Sequence, residues 1–227
     1  MPTDLDDVRA DFDRIARLDA QPWEVDDGYI ERLLERLPEP CGRALEIGCG
    51  TGRVTRQLAD RCREVVALDA SPEMIRVAAE RSGEHANIRY ERIDFERFEA
   101  APGSFDAVVS VNTLHHLPLR SSLAGMREWL AAGGALLILD VGWPQGLRSL
   151  GQRALAFPLS LVLRFWHTGR LRLPPDLRAA WDAHLEHDEY PAWEELRAVA
   201  GEELPGYHLE PHLLWRYSLT WRAPYST

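Results

Sequence analysis

The residues best suited to do chemistry lie in one short segment, LEIGCGTG at positions 45–52. Gly48, Gly50 and Gly52 alternate with other residues directly after an apolar run, and glycine permits the tight turn that brings backbone N–H groups against a bound molecule. The apolar run predicts a short buried strand, and the next apolar residues recur at helical spacing (Val54, Leu58 and Ala59). A strand, a glycine turn and a helix N-terminus together predict a small-molecule site, because they present unpaired N–H donors.

Two classes of ligand compete for this turn. A dinucleotide turn has the pattern G-x-G-x-x-G, whose third glycine lets the helix pack closely on the strand. Here Arg53 stands at the third position, and the last glycine comes one residue early. Glu46, ahead of the first glycine, would repel a pyrophosphate but would attract a ligand that carries an ammonium or sulfonium group. The turn therefore favours a cationic cofactor.

The pattern E-x-G-x-G-x-G resembles motif I of the class I methyltransferases that use S-adenosylmethionine (SAM). The segment VVALDAS, at 65–71, supports this resemblance as a second apolar strand that ends in an acid, Asp69. A carboxylate at the tip of the second strand can accept hydrogen bonds from both ribose hydroxyls. Asp69 is therefore the expected ribose ligand, and Met74 in the following helix could lie against the adenine face.

Two further segments match the family's later motifs in order. A predicted strand at 88–93 precedes Asp94 and Phe95, and the resemblance implies that the acid reaches the adenine amino group while the next backbone amide reads the ring. The segment FDAVVSVNTLHHL, at 105–117, resembles motif IV and places Asn112 near the methionine end of the cofactor. The expected cofactor site thus comprises Glu46, Gly48, Cys49, Gly50, Thr51, Gly52, Asp69, Ala70, Met74, Asp94, Phe95 and Asn112.

The N-terminal region could close this site. In many members of the family an N-terminal helix lies over the cofactor, and an aromatic or hydroxyl side chain covers the methionine end. Trp23 and Tyr29 are the candidates here, with simple packing as the alternative. Many relatives have a His-Asn pair between such aromatics, whereas this chain has Val25, Asp26 and Asp27.

The candidate catalytic residues are two adjacent histidines. Methyl transfer from a sulfonium is an in-line displacement, so the protein mainly aligns the reactants and excludes water. A hydroxyl or amine acceptor must also lose a proton, and histidine is the usual base near neutral pH. His116, and after it His115, are the candidates because they follow the tip of the fourth strand. A packing or capping role is the alternative, since LHHL recurs in the family whatever the substrate.

A second group of titratable residues comes later in the chain: His184, His187, Asp188 and Glu189. A spacing of three residues would place both histidines on one helix face. A metal site is one interpretation, and a solvated lid surface is the one we favour. We therefore expect no metal ion.

The elements that position these residues are expected to form a single domain. Residues 1–40 are interpreted as an N-terminal helical cap, 41–142 as the SAM-binding core, 143–190 as a helical insertion or lid, and 191–227 as a C-terminal helix and strands. The glycine pair at 133–134 predicts a turn before the fifth strand. The resemblance implies an α/β, doubly wound (Rossmann-like) fold with a seven-stranded, mostly parallel sheet whose last strand is antiparallel.

Composition limits which binding partners and which cellular compartment we expect for this protein. A net charge of −10 argues against a nucleic-acid substrate, because phosphate binding requires a basic face. No run in the sequence reaches the roughly 18 apolar residues of a membrane span, and the acidic N-terminus does not resemble a signal peptide. The cysteines, Cys41, Cys49 and Cys62, are odd in number and lack metal-ligand spacing, which predicts reduced thiols and a cytoplasmic protein.

Charged residues are unevenly distributed in the region where we expect the acceptor to bind. Residues 143–175 carry 5 arginines, no acid and many apolar residues, whereas 176–203 carry 9 acids and 2 arginines. We interpret this region as a lid over an apolar pocket, with plain packing or membrane-surface contact as alternatives. The expected acceptor is a small, partly apolar molecule, methylated on oxygen, nitrogen or carbon. A SAM-binding partner protein without activity and an NAD(P)-dependent oxidoreductase are the alternative functions.

Overall fold

The computed structural model describes residues 5–18, 26–142, 165–166, 174–185, 190–213 and 215–225. Its helices are α1 (Leu5–Leu18), α2 (Asp27–Leu34), α3 (Arg53–Ala59), α4 (Pro72–Arg81), α5 (Leu119–Trp129), α6 (Pro175–Leu185) and α7 (Trp193–Glu203). Its strands are β1 (Cys41–Ile47), β2 (Cys62–Asp69), β3 (Ile88–Arg92), β4 (Phe105–Val111), β5 (Leu130–Val141), β6 (His208–Pro211) and β7 (Arg216–Arg222). Short 3-10 helices follow β3 (Phe95–Arg97) and β4 (Leu114–His116). None of these described helices has both the length and the apolar character that crossing a membrane requires.

The strands form one sheet in the order β3-β2-β1-β4-β5-β7-β6. Strands β1 to β5 run parallel, while β7 pairs antiparallel with both β5 and β6. The predicted doubly wound α/β fold with an antiparallel last strand is confirmed. The strand order reverses between β1 and β4, and sheets of this kind bind ligands in the crevice at the carboxyl ends of the strands at that point.

Helices bury the sheet on both faces. Along β1, Leu45 and Ile47 lie in the apolar layer that α5 and α7 cover, whereas Ala44 lies in the opposite layer with α2 and α3. This alternation is the period of two that a strand imposes on its side chains. Burying one large apolar side chain stabilises the fold by roughly 1.5–3 kcal/mol, so the central strands hold the loops at their ends firmly in place.

The helix α1 packs on α4 and α6. Ile15 and Ala16 of α1 bury against Met74 of α4 and Ala180 of α6, with Phe12 at the edge of this cluster. These contacts place α1 beside the start of α4, close to the end of β2. The N-terminal helix therefore lies near the predicted site.

The glycine pair at 133–134 lies inside β5, which begins at Leu130, so the prediction of a turn before this strand is wrong. The pairing between β4 and β5 shifts its register at this place. Gly133 has a φ of 76°, and a Cβ on Gly134 would lie 2.8 Å from the carbonyl oxygen of Ala131. The glycines therefore form an irregularity within the strand, where glycine avoids a backbone collision.

Cys41 and Cys62 are the first residues of β1 and β2, and they pair across these parallel strands. Their Cα atoms lie 4.7 Å apart, and their sulfur atoms form a disulfide bond. The prediction that all the cysteines are reduced is wrong for this pair, because strand register brings together two thiols that are distant in sequence. Cys41 and Cys62 therefore do not support the predicted cytoplasmic location, which rested on reduced thiols. Cys49 is a free, buried thiol.

Most of the predicted insertion lies outside the described residues, which within it comprise Phe165 and Trp166, residues 174–185 and Tyr190. Phe165 and Trp166 are exposed, the latter at 84%. The interpretation of this region as a lid therefore stays a prediction. Other residues singled out from the sequence also lie outside the described ranges: Trp23, His187, Asp188 and Glu189.

Candidate cofactor and active site

The glycine turn, residues 48–52, connects β1 to α3 and is held against the neighbouring strand. The N–H groups of Gly48 and Cys49 both donate to the carbonyl oxygen of Leu68 near the end of β2, each at 2.9 Å. The three glycines of the turn have φ values of 71°, 51° and 76°, a region that other residues rarely adopt. Since α3 begins at Arg53, its first N–H groups lie at the carboxyl edge of the sheet.

The three glycines differ in what surrounds them. A Cβ on Gly48 would collide with the Thr113 side chain, and one on Gly52 would collide with the Tyr90 hydroxyl. Packing within the protein therefore requires glycine at these two positions. A Cβ on Gly50 would meet nothing within 4 Å. Gly50 thus borders open space, where a ligand can approach the backbone.

Asp69 lies at the end of β2, as predicted, and its carboxylate ties the turn to the next helix. One carboxylate oxygen accepts from the N–H of Gly50 at 2.9 Å, and the other accepts from the N–H of Ser71 at 2.8 Å. Burial raises the pKa of Asp69 to about 6, against the effect of these two N–H donors. A carboxylate has about four lone-pair sites, so Asp69 can accept further hydrogen bonds from a ligand.

Glu46 lies beneath the turn with its carboxyl group against α3. It is 1% exposed, and the Thr55 hydroxyl donates to its carboxylate. Burial raises the pKa of Glu46 to about 8. At neutral pH the carboxyl group is therefore mostly protonated, and a cation bound nearby would lower this pKa by favouring the ionised form.

Asp94 and Phe95 follow β3, and their side chains have protein partners. A carboxylate oxygen of Asp94 accepts from Arg9 of α1 at 2.8 Å, and Arg97 lies 3.9 Å from the other oxygen. The Phe95 ring packs against Trp129, with centroids 5.6 Å apart. The part of Phe95 that can serve the predicted adenine contact is therefore its backbone.

The remaining residues of the predicted cofactor site are mostly packing residues. Cys49 and Thr51 are buried within the turn, and Ala70 is half-buried after Asp69. Met74 is buried in the cluster between α1, α4 and α6, so packing already accounts for its side chain.

The helix α1 contacts the predicted site at three points. Arg9 pairs with Asp94, as described above. The carboxylate of Asp13 accepts from the Ser71 hydroxyl at 2.5 Å, at the N-cap of α4. The Phe12 ring lies edge-on to His116 with centroids 5.7 Å apart. This helix thus extends from the adenine residues to the histidines.

Asn112 follows β4 with a positive φ of 53°, and its backbone N–H donates to the Leu139 carbonyl at 2.8 Å. Its side-chain Nδ2 donates to Oδ2 of Asp26 at 2.8 Å, and Oδ1 of the same carboxylate accepts from Arg216 Nε at 2.6 Å. Asp26 is 1% exposed. Sequence reasoning missed Asp26 and Arg216, although the departure from the family at residues 25–27 was a signal.

Tyr29, the other aromatic candidate, stacks on His212, with ring centroids 4.6 Å apart and an interplanar angle of 16°. It also packs against the apolar layer that α2 shares with the sheet. These contacts agree with the packing alternative, and a role for Tyr29 at the methionine end stays a prediction.

His115 is held by a buried carboxylate. Its Nδ1 lies 2.6 Å from Oδ1 of Asp140, and its backbone N–H donates to Oδ2 at 3.0 Å. Asp140 lies on β5 and is fully buried. Because an ionised carboxylate only accepts, Nδ1 of a neutral His115 carries the proton and Nε2 keeps its lone pair. Sequence reasoning missed Asp140, although an acid inside the apolar run of β5 was a signal.

His116 lies in a cluster of rings with little access to water. Its centroid is 3.9 Å from that of His115 and 5.2 Å from that of His184. Burial, and then the neighbouring histidines, lower the pKa of His116 to about 2. His184 is 2% exposed, so the prediction of a solvated lid surface is wrong for this residue. Within the described ranges, no group of three or more His, Cys, Asp or Glu side chains is placed to hold a metal ion.

Comparisons with known proteins address the family. Residues 44–134 match the family model of a methyltransferase domain. An uncharacterized methyltransferase of Mycobacterium tuberculosis is 29% identical over 209 residues, which cover 90% of this chain and 98% of that protein. The match to the family model identifies residues 44–134 as a methyltransferase domain, of the predicted class I SAM-dependent kind. This confirms the predicted family against the oxidoreductase alternative.

Two further similarities of this chain are to enzymes that methylate different acceptor atoms. It is 27% identical over 223 residues to the ubiquinone biosynthesis O-methyltransferase of Xanthomonas campestris, covering 92% of this chain and 86% of that protein. Its fold is similar to that of the N-methyltransferase NodS from Bradyrhizobium japonicum in complex with S-adenosylhomocysteine, with a TM-score of 0.66 and 19% identity. The NodS match covers 96% of this chain and 99% of NodS, and at this identity it shows the fold alone.

The cofactor of this methyltransferase is SAM, and the residues at the crevice fit it. Gly50 leaves open space beside the backbone of the turn, and Asp69 places a carboxylate at the tip of β2. Oδ1 of Asn112 is buried and has no hydrogen-bond partner among the described residues. These groups accept hydrogen bonds, and SAM offers donors in its ribose hydroxyls and its ammonium group.

Proposed function

We propose that this methyltransferase methylates a hydroxyl or amine group of a small, partly apolar acceptor, with His115 as the base. The observation that carries the proposal is the 2.6 Å contact between His115 Nδ1 and the buried carboxylate of Asp140. The contact fixes the ring and places the proton of the neutral imidazole on Nδ1, so Nε2 is the basic nitrogen. An O-methyltransferase is among the similar proteins, and a base serves a hydroxyl or an amine acceptor in the same way.

We assign the cofactor contacts by their place along the crevice. Residues 46–52 and Asn112 would hold the methionine moiety, Asp69 the ribose, and Asp94 with the backbone of Phe95 the adenine. The bonds of Gly50 to Asp69 and of Arg9 to Asp94 hold these acceptors in place. When bound, SAM supplies an electrophilic methyl group on its sulfonium, while the chain aligns it and excludes water.

His115 and His116 would then have different roles. Nε2 of His115 would take the proton that the acceptor loses, and the carboxylate of Asp140 would stabilise the imidazolium that forms. His116, whose pKa burial lowers to about 2, binds a proton too weakly at neutral pH to serve as this base. Its contacts with Phe12 and His184 support a packing role, which reverses the order predicted from the sequence.

The test is formation of S-adenosylhomocysteine from SAM with a panel of phenols, alcohols and amines. We expect His115→Gln to lower kcat by about 10²–10⁴-fold, the usual contribution of general base catalysis, and to leave the Kd for S-adenosylhomocysteine within about twofold. His85→Gln is the matched control, because His85 lies 3.1 Å from the exposed Asp60, away from the crevice.

Three outcomes would contradict the proposal in different ways. A wild-type rate in His115→Gln would show that another group removes the proton. Tight SAM binding by the wild type without turnover of any acceptor would favour the alternative of a SAM-binding partner protein. Loss of cofactor binding in His115→Gln would assign the residue to the cofactor site instead.

A further inference from the structure

Three residues from distant parts of the chain meet in one buried polar group. Asp26 precedes α2, Asn112 follows β4, and Arg216 begins β7. A buried carboxylate is costly unless it is paired and hydrogen-bonded. Arg216 neutralises the Asp26 carboxylate through Oδ1, and the Asn112 side chain bonds to Oδ2. The ion pair with Arg216 thus offsets the cost of burying this carboxylate next to Asn112.

The charge on Asp26 dictates which way the Asn112 amide faces. An ionised carboxylate only accepts hydrogen bonds, so Asn112 must turn its NH₂ group toward Asp26 and its oxygen away. The backbone of Asn112 is fixed as well, since its N–H donates to the Leu139 carbonyl. The Oδ1 atom is therefore held in one place, and no described residue donates to it. An unpaired buried acceptor costs free energy that a bound donor would recover.

This oxygen lies where the strand order reverses. β4 pairs with β1, and the Thr113 hydroxyl lies 3.5 Å from the carbonyl oxygen of Gly48, at the start of the glycine turn. An acceptor at this place favours a ligand group that donates and carries positive charge, and it disfavours a carboxylate. The methionine part of SAM carries one such group, its α-ammonium.

We propose that Asp26, neutralised by Arg216, is a positioning residue that orients Asn112 so that Oδ1 accepts a hydrogen bond from the α-ammonium of the cofactor. The proposal rests on the proposed placement of the methionine moiety beside the glycine turn. It adds a function for Asp26 and Arg216 and states which atom of Asn112 the cofactor meets.

The test compares two ligands that share adenosine but differ in the amino acid. S-adenosylhomocysteine carries the ammonium, and 5′-methylthioadenosine lacks it. We expect Asp26→Asn to lower the affinity for S-adenosylhomocysteine at least tenfold, as measured by calorimetric titration. The affinity for 5′-methylthioadenosine should change less than twofold. Asn112→Leu leaves the ion pair between Asp26 and Arg216 intact and should give the same split, so the proposal stays testable if Asp26→Asn does not fold.

Two control variants separate the possible failures. Asn87→Ala removes another partly buried amide, which bonds to the carbonyl groups of Ala59 and Cys62, and should change neither affinity. Asp69→Asn should lower the affinity for both ligands, because both contain the ribose. If Asp69→Asn weakens neither, the proposed cofactor placement fails. A second case is that Asp69→Asn lowers the affinity for both ligands, but Asp26→Asn and Asn112→Leu leave the affinity for S-adenosylhomocysteine unchanged or lower both affinities equally. Only the inference about Asp26 is then overturned.

Discussion

Replacing Glu46 by glutamine tests how the carboxyl group beneath the glycine turn is held. Burial raises the pKa of Glu46 from 4.5 to about 8, so the folded protein keeps a proton there at pH values where the unfolded chain has released it. A raised pKa of an acid favours the fold only while the group is protonated. The contribution of Glu46 to stability is therefore lost as the pH rises from about 4.5 through about 8.

The size of this loss follows from the two pKa values. A difference of one pKa unit corresponds to about 1.4 kcal/mol, so the change from 4.5 to about 8 amounts to about 5 kcal/mol at high pH. Between about pH 5 and about pH 8.5 the loss is about 4 kcal/mol. Glutamine has nearly the same shape, keeps an oxygen that accepts from Thr55 and does not titrate. The stability of Glu46→Gln relative to wild type should therefore rise by about 4 kcal/mol over this range.

The measurement is urea unfolding of both proteins at a series of pH values, followed by tryptophan fluorescence. Groups that do not interact with Glu46 titrate alike in both proteins and cancel in the difference, whereas Asp69 interacts with Glu46 and adds a contribution of its own. Glu64→Gln is the matched control, because Glu64 is on the surface of β2 and pairs with Arg43. Its effect should stay within about 0.5 kcal/mol at every pH. A difference between Glu46→Gln and wild type that does not change with pH would refute the reasoning.

The remaining predictions concern the turn and Asp69. Gly48→Ala should destabilise the fold by about 2 kcal/mol or more, because residue 48 has a positive φ and the new Cβ would collide with Thr113. Gly50→Ala should lower stability by only about 1–2 kcal/mol through backbone strain, but it should also lower the affinity for S-adenosylhomocysteine. Thermal unfolding and titration of both variants check this, and equal losses of stability would contradict it. Asp69→Ala should abolish most cofactor affinity and also lower stability by about 1–3 kcal/mol, because it leaves the N–H groups of Gly50 and Ser71 without their acceptor. The affinity of the wild type for S-adenosylhomocysteine should fall as the pH drops through about 6, where Asp69 takes up a proton. If this affinity does not change with pH, an ionised Asp69 does not contact the ribose.

The sequence was sufficient wherever short-range pattern decides the structure. Leu45 and Ile47 alternate with polar or small residues and end in glycines, so a buried strand and its turn could be predicted from spacing alone. Asp69 could be placed at a strand tip for the same reason. Ser71 and Pro72 start α4 as their types predict, since the Ser71 hydroxyl accepts from the N–H of Met74 at 3.0 Å.

The polar partners could not be predicted, because they depend on which distant strands become neighbours. Asp140 meets His115 through the pairing of β4 with β5, and Cys41 meets Cys62 through that of β1 with β2. His184 belongs to a polar stretch of sequence, yet the packing of α6 on α1 buries it. Gly133 was mistaken for a turn, since an irregular strand and a turn use glycine for the same conformational reason.

The ion pair between Asp26 and Arg216 has a consequence for how the chain assembles. Its two residues are separated by 190 positions, and Arg216 lies in β7, which is synthesised after the other described strands. During synthesis the glycine turn and its strands are complete long before this partner exists. The Asp26 carboxylate therefore gains its charge partner only when β7 joins the sheet, which ties readiness to bind the cofactor to the docking of that strand.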